Sequence, residues 1–273
     1  MIYFGMLVPL LAVFQVLLVT TGKWVWVIPL MWSPAAASIV ARLVLREGFA
    51  DVSFRVGGRR GWHAILVAVV FPLVIGLTAY GIAWLAGLAR FDPRPGGLAA
   101  QLSAGSTSPI VTFLVMLAVA ATIGTVVGTV TAAGEEIGWR GYLLTRLIDA
   151  GVPRPILVSG LIWGLWHVPV VLGTGYAAGP SPVASAGLLV VLATAFGFVF
   201  ARLRLETGSV WPAIVLHAAW NSIIQSAFDA ARTGGDRSHL HGDASWWVGE
   251  SGVLTVIAMI IAAVIVARPA RRV

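Results

Sequence analysis

Apolar residues run along this chain in blocks of roughly twenty, separated by short stretches that carry glycine, proline or arginine. About 20 apolar residues at a rise of about 1.5 Å each match the hydrocarbon thickness of a bilayer, so each block predicts a membrane-spanning helix. Eight spans are expected, near Ile2 to Thr21, Trp24 to Leu45, Trp62 to Leu88, Ile110 to Ala133, Pro155 to Leu172, Val183 to Ala201, Val210 to Phe228 and Gly252 to Ala267. The first begins almost at Met1 without a basic flank and is too long for a signal-peptide core, so it is expected to stay as a membrane helix. In the fourth, the helical pattern continues to Leu147, and a straight helix from Ile110 to Leu147 would rise about 57 Å, well beyond a membrane thickness. A bend or an interfacial tail is expected there, with Gly124, Gly128, Gly134 and Gly138 as places for it.

Composition agrees with this pattern. The 273 residues are 59% hydrophobic and 11% charged, and the mean hydropathy is +0.93, outside the range of soluble globular chains. The expected fold is an all-α polytopic membrane helix bundle of about eight transmembrane helices. It forms one integral membrane domain over residues 1–273, with the chemistry in a core of about 110–229, and no repeat or separate soluble domain is visible. The net charge of +7 does not imply nucleic acid, because 17 of the 18 basic residues are arginines scattered between apolar runs. They read as topology determinants. One side holds Arg42, Arg46, Arg55, Arg59, Arg60, Arg146, Arg154, Arg202, Arg204, Arg268, Arg271 and Arg272, whereas the other holds Lys23, Arg90, Arg94, Arg232 and Arg237. Because cytoplasmic loops carry the excess, both termini are expected in the cytoplasm of a cell inner or plasma membrane. The mixed segment Phe49 to Val56 is expected along the cytoplasmic interface, and the stretches Asp92 to Pro109 and Ala230 to Ser245 as outer loops. Most of the 12 tryptophans, such as Trp24, Trp26, Trp62, Trp246 and Trp247, read as interfacial anchors. The absence of cysteine excludes disulfides, thiolate metal sites and a cysteine nucleophile.

Against this apolar background stands Gly134-Glu135-Glu136-Ile137-Gly138-Trp139-Arg140. A charge at bilayer depth costs roughly 2.5 to 3.5 kcal/mol on insertion scales, so such groups face a partner or a polar cavity. Glu136 and Arg140 are four residues apart, with the acid first, which suits an ion pair on one helical face. Glu135 is rotated from Glu136 by about 100°, which leaves it free to act on water or substrate. A purely architectural ion network is the competing reading. The fifth span carries Trp163 and His167 at the same spacing, and the seventh carries His217 and Asn221. Counted from the arginine-rich ends, Glu135 and His167 each lie roughly 18 Å along their helices, and His217 and Asn221 roughly 12 to 18 Å. All four can meet at one level, in a cavity expected to be reached from the cytoplasmic half of the membrane.

With Glu135-Glu136 and Arg140, Trp163 and His167, and His217 and Asn221 in this order, the chain resembles the CPBP intramembrane proteases. That family includes the type II CAAX prenyl proteases and proteins linked to bacteriocin processing and immunity. Its motifs are Glu-Glu-x-x-x-Arg, aromatic-x-x-x-His and His-x-x-x-Asn; phenylalanine is the more usual aromatic, so Trp163 is a departure expected to touch pocket shape more than chemistry. The resemblance spans about Thr131 to Asn221. It implies hydrolysis of peptide bonds in a membrane-associated protein or peptide by an activated water. Glu135 would be the general base, His167 would orient or share activation of the water, and His217 and Asn221 would donate to the oxyanion. Glu136, Arg140 and Trp163 would support them. The family was long described as metalloproteases, and Glu135, His167 and His217 would make a two-His, one-carboxylate zinc set. The metal-free mechanism, with no cofactor, is favoured, because Asn221 is a poor zinc ligand and no His-Glu-x-x-His motif is present.

Other motifs carry less. Gly249-Glu250-Ser251-Gly252 matches the Gly-x-Ser-Gly of rhomboid-type serine proteases, but no histidine follows it in the sequence. The run His239-Leu240-His241-Gly242-Asp243 reads as a solvated loop. A proton-coupled transporter would spread polar groups along a whole pathway, often in repeated halves, whereas here they concentrate in spans four, five and seven. A catalytically silent membrane scaffold or bacteriocin immunity protein would carry the same motifs without turnover.

Overall fold

The computed structural model describes residues 1–177, 179, 181–232 and 244–268. The run His239 to Asp243, most of the expected outer loop Ala230 to Ser245, Arg237, Arg271 and Arg272 lie outside the described residues. The eight expected helices are all present: α1 (Ile2–Thr21), α2 (Val27–Leu45), α3 (Gly58–Leu85), α4 (Pro109–Asp149), α5 (Pro155–Thr174), α6 (Pro182–Thr207), α7 (Trp211–Ser222, continued by a π-helical stretch Ile223–Phe228) and α8 (Val253–Ala267). Six helices, α1 to α6, are long and apolar enough to cross a membrane, with α2 counted from Trp24. Helix α8 is apolar but shorter, and α7 carries His217, Asn221, Ser222 and Gln225 within its length. Among the described residues there is no strand, and a single antiparallel bridge joins Phe91 to Arg232. The chain is an all-α polytopic membrane bundle.

The boundaries shift where hydrogen bonding continues past the apolar stretch. Helix α3 begins at Gly58 rather than Trp62, taking in Arg59 and Arg60, and α4 runs unbroken over 41 residues. The interruption expected in α4 takes the form of two π-helical turns, Ala120–Gly124 and Trp139–Leu143, beside two of the expected glycines. Such a turn inserts a residue and rotates the face of everything beyond it.

Small residues let the helices approach. Helix α4 packs between α2 and α7, α7 also packs on α3, and α5 packs on α6. A Cβ at Gly138 would lie 2.3 Å from the Cβ and 2.4 Å from the carbonyl carbon of Pro34, and one at Gly134 would lie 2.7 Å from the Cα of Trp32. On the other side of α4, a Cβ at Gly124 would meet the Ser222 hydroxyl at 2.9 Å and one at Gly128 the Ala218 Cβ at 3.3 Å. Lipid tails are as apolar as the helices, so close van der Waals packing between small residues is what holds them together.

The segment Phe49 to Val56 does more than lie at the interface. Phe49 and Phe54 are exposed, but Val52 is fully buried with Val210, Ile214 and Ala218 and touches Gly141. Three helices clasp its turn. Arg42 of α2 binds the Asp51 carboxylate and donates to the carbonyls of Gly48 and Gly141 at 2.8 Å each. Arg146 of α4 reaches Asp51 at 3.1 Å and Glu47 at 2.8 Å, and Arg204 of α6 donates to the Asp51 carbonyl. The turn therefore plugs the arginine-rich end of the bundle beneath α7, where the Val210 N–H, just ahead of that helix, and the Trp211 indole donate to the Ser53 and Phe54 carbonyls.

Two consequences are measurable. Gly138→Ala should destabilise the detergent-solubilised protein by about 1–3 kcal/mol through overpacking, whereas Gly187→Ala, where nothing lies within 4 Å, should be neutral; equal melting temperatures would refute the close-approach argument. Partial burial pushes the Asp51 carboxyl up, but the Arg42 hydrogen bond and the charges of Arg42 and Arg146 outweigh it and hold it below the usual value. A depressed folded-state value gives stability above the unfolded pKa that is lost as pH falls through the folded one. The melting temperature should therefore fall as pH drops below about 4, and Asp51→Asn should flatten that part of the profile. Parallel acid limbs would refute it.

Candidate active site

Helix α4 brings its acidic pair into the interior. Glu135, Glu136 and Arg140 are all at most 2% exposed, so each charge needs a partner in place of water. Glu136 supplies two of them from one oxygen: its Oε1 accepts from Arg140 at 2.9 Å and from Nδ1 of His217 at 2.8 Å. The i, i+4 pair expected from the sequence is present, with a third member from α7. The Arg140 guanidinium also packs against two mutually perpendicular aromatic rings, 4.3 Å from the centroid of Trp163 and 4.0 Å from that of Phe200. These cation–π contacts add to the attraction of the carboxylate.

Glu135 points the other way. Its Oε2 accepts from the indole nitrogens of Trp163 at 2.7 Å and Trp139 at 3.2 Å. Its Oε1 faces Nε2 of His217 across 4.0 Å, too long for a direct hydrogen bond and suited to one bridging oxygen. In His167, Nδ1 lies 2.9 Å from the Trp163 carbonyl. A carbonyl only accepts, so Nδ1 carries the proton, and Nε2 of the neutral ring is an acceptor. Asn221 accepts from Gln225 through Oδ1 at 3.0 Å.

Glu135, His167, His217 and Asn221 line one cavity of about 140 Å³. Its other walls include Leu18, Trp24, Val27 and Tyr176, from the arginine-poor end of the bundle. Its lining therefore extends toward the arginine-poor end, whereas depth along the helices suggested access from the arginine-rich half. Arg140, Trp163 and Phe200 fill that side.

Residues 107–223 match the family described as type II CAAX prenyl endopeptidase, Rce1-like. The chain carries a CAAX-protease-family domain. No curated protein matches the chain. The CAAX-protease family implies a protease acting on a peptide or protein in a membrane setting. The matched segment ends just after Asn221, so every residue expected in the site lies within it.

Among the described residues no three His, Cys, Asp or Glu side chains are placed to hold a metal ion. Two indole N–H groups occupy Oε2 of Glu135, and the Nδ1 atoms of both histidines are committed, so a zinc ion would have to use Oε1 of Glu135 and the two Nε2 atoms.

Several residues of the site were not visible as such in the sequence. Trp163 touches chemistry as well as shape, because unlike phenylalanine it brings an N–H to Glu135. Trp139, Trp163, Trp166 and Trp220 are buried around the site rather than anchored at an interface. Gln225, one turn beyond Asn221, carried a spacing signal. Glu250 lay inside the Gly-x-Ser-Gly match, where only the serine drew attention. Trp163→Phe should keep the packing but leave a buried acceptor short of a donor, costing about 1–3 kcal/mol. Thermal unfolding in detergent checks this, and an unchanged midpoint would remove Trp163 from the support of Glu135.

Proposed function

We propose that the whole chain is a single intramembrane endopeptidase domain that hydrolyses a peptide bond with a water activated by Glu135. The observation that carries this reading is the asymmetry of Glu135, with one oxygen held by two indole donors and the other facing His217 across a gap of one oxygen atom. A buried carboxylate oriented in this way is suited to general-base work. Glu135 takes a proton from water as the oxygen attacks the carbonyl carbon, and returns it to the amine as the C–N bond breaks. His167 accepts from the same water through Nε2. His217, when doubly protonated, keeps its Nδ1 proton on Glu136 and donates from Nε2 to the oxyanion, and Asn221 donates from its amide. The mechanism needs no metal. The substrate is a membrane-associated protein or peptide.

The arginine count supports an orientation with both termini in the cytoplasm of a cell inner or plasma membrane. The cavity then opens toward the opposite leaflet, which is where the scissile bond would enter.

The decisive experiment compares protein N- and C-termini by mass spectrometry in cells making wild type or an equally abundant Glu135→Gln variant. New termini should appear with wild type alone, and they name the substrates. Identical profiles would overturn the protease reading in favour of a silent scaffold or immunity protein.

A further inference from the structure

Glu250 is a buried carboxylate that the hydrolytic steps leave unused. It lies just ahead of α8, is 6% exposed, and sits beyond the end of the family match. Its Oε1 accepts from the Trp220 indole at 2.6 Å and from Nε2 of Gln225 at 2.9 Å. The Tyr176 hydroxyl lies 3.0 Å from the same nitrogen, whose two hydrogens are shared among the oxygens around it. Gln225 in turn donates to Oδ1 of Asn221 at 3.0 Å. An indole N–H only donates and an ionised carboxylate only accepts, so Oε1 of the Glu250 carboxylate takes a hydrogen from each neighbour. The Gln225 atom beside it is then the NH2 group, and the Asn221 atom that meets this NH2 is the carbonyl oxygen. That leaves the Asn221 NH2 as the end available to the cavity. A free carboxamide presents its oxygen or its nitrogen with similar ease, and an oxygen turned toward an oxyanion would repel it.

We propose that Glu250 is a positioning residue that, through Gln225, sets the polarity of the Asn221 carboxamide so that its NH2 group faces the cavity. The role of that NH2 rests on the protease reading above; its orientation does not. The relay needs an acceptor at position 250 and not a charge. Glu250→Gln should therefore preserve it, whereas Glu250→Leu and Gln225→Met should break it at two different links.

Asn221 is the only asparagine in the sequence, so selective 15N-asparagine labelling gives a single side-chain NH2 pair to follow by NMR in detergent. Wild type and Glu250→Gln should show the same sharp, resolved pair. Glu250→Leu and Gln225→Met should shift or broaden it, with melting temperatures recorded to confirm folding. An unchanged pair in both breaking variants would overturn the proposal, as would a Glu250→Gln spectrum matching that of Glu250→Leu. The second arm measures cleavage of an internally quenched peptide ending in a prenylated CAAX sequence. Each breaking variant should lose about tenfold in kcat with KM within about twofold, and the double variant should be no worse than either single, because both cut one chain of contacts. Losses that multiply would overturn the relay. If wild type and Glu135→Gln fail alike on peptide and in cells, the protease reading falls, while the NMR arm still decides the relay.

Discussion

One oxygen of Glu136 holds the site together. It receives Arg140 from its own helix and His217 from another, so an acid, a guanidinium and an imidazole occupy a space where none could stand alone. In an apolar bundle the desolvation of each would oppose burial, and only mutual hydrogen bonding offsets it. The arrangement ties α4 to α7 at one register. It fixes the His217 ring by its Nδ1 side and leaves Nε2 directed at Glu135. Removal of the Glu136 carboxylate would orphan both partners at once, so this residue belongs to the architecture as much as to the chemistry.

Close approach makes that contact possible. Gly134 and Gly138 flank the acidic pair and bring α2 against α4, while Gly124 and Gly128 do the same for α7 on the opposite face. Tryptophan fills the space that remains. Trp139 and Trp163 each offer a large apolar body and one N–H, which both find the same carboxylate oxygen, and Trp220 offers its own to Glu250. A side chain of this kind packs like a hydrophobe and satisfies an acid without adding a charge. The buried tryptophans are thus part of the site's electrostatics.

How far the sequence carried this reading differs from residue to residue. The membrane class, the eight helices and the pairing of Glu136 with Arg140 follow from local rules: apolar length against bilayer thickness, and two residues one helical turn apart. The joining of Glu135, His167, His217 and Asn221 was inferred from equal depth, and the structure does place them around one cavity. Depth measured from one end did not tell which end the cavity faces. That depends on whether Arg140 and the rings of Trp163 and Phe200 turn inward. Likewise the segment Phe49 to Val56 looked interfacial by its alternation, and its role as a plug became visible only when Val52 was found beneath α7.

By itself, the sequence determined the solvent this protein lives in, the order of its apolar helices, and the residue types available for chemistry. These rest on composition and on contacts within one or two helical turns. The tertiary structure alone decided which oxygen of each carboxylate is occupied, which nitrogen of each histidine is committed, and that Glu250 reaches Asn221 through Gln225. Those are choices among hydrogen-bond partners far apart in the chain, 81 residues for Glu136 with His217 and 25 for Gln225 with Glu250. Spacing along a helix fixes a face, but a hydrogen bond needs a distance and a direction, and packing supplies both.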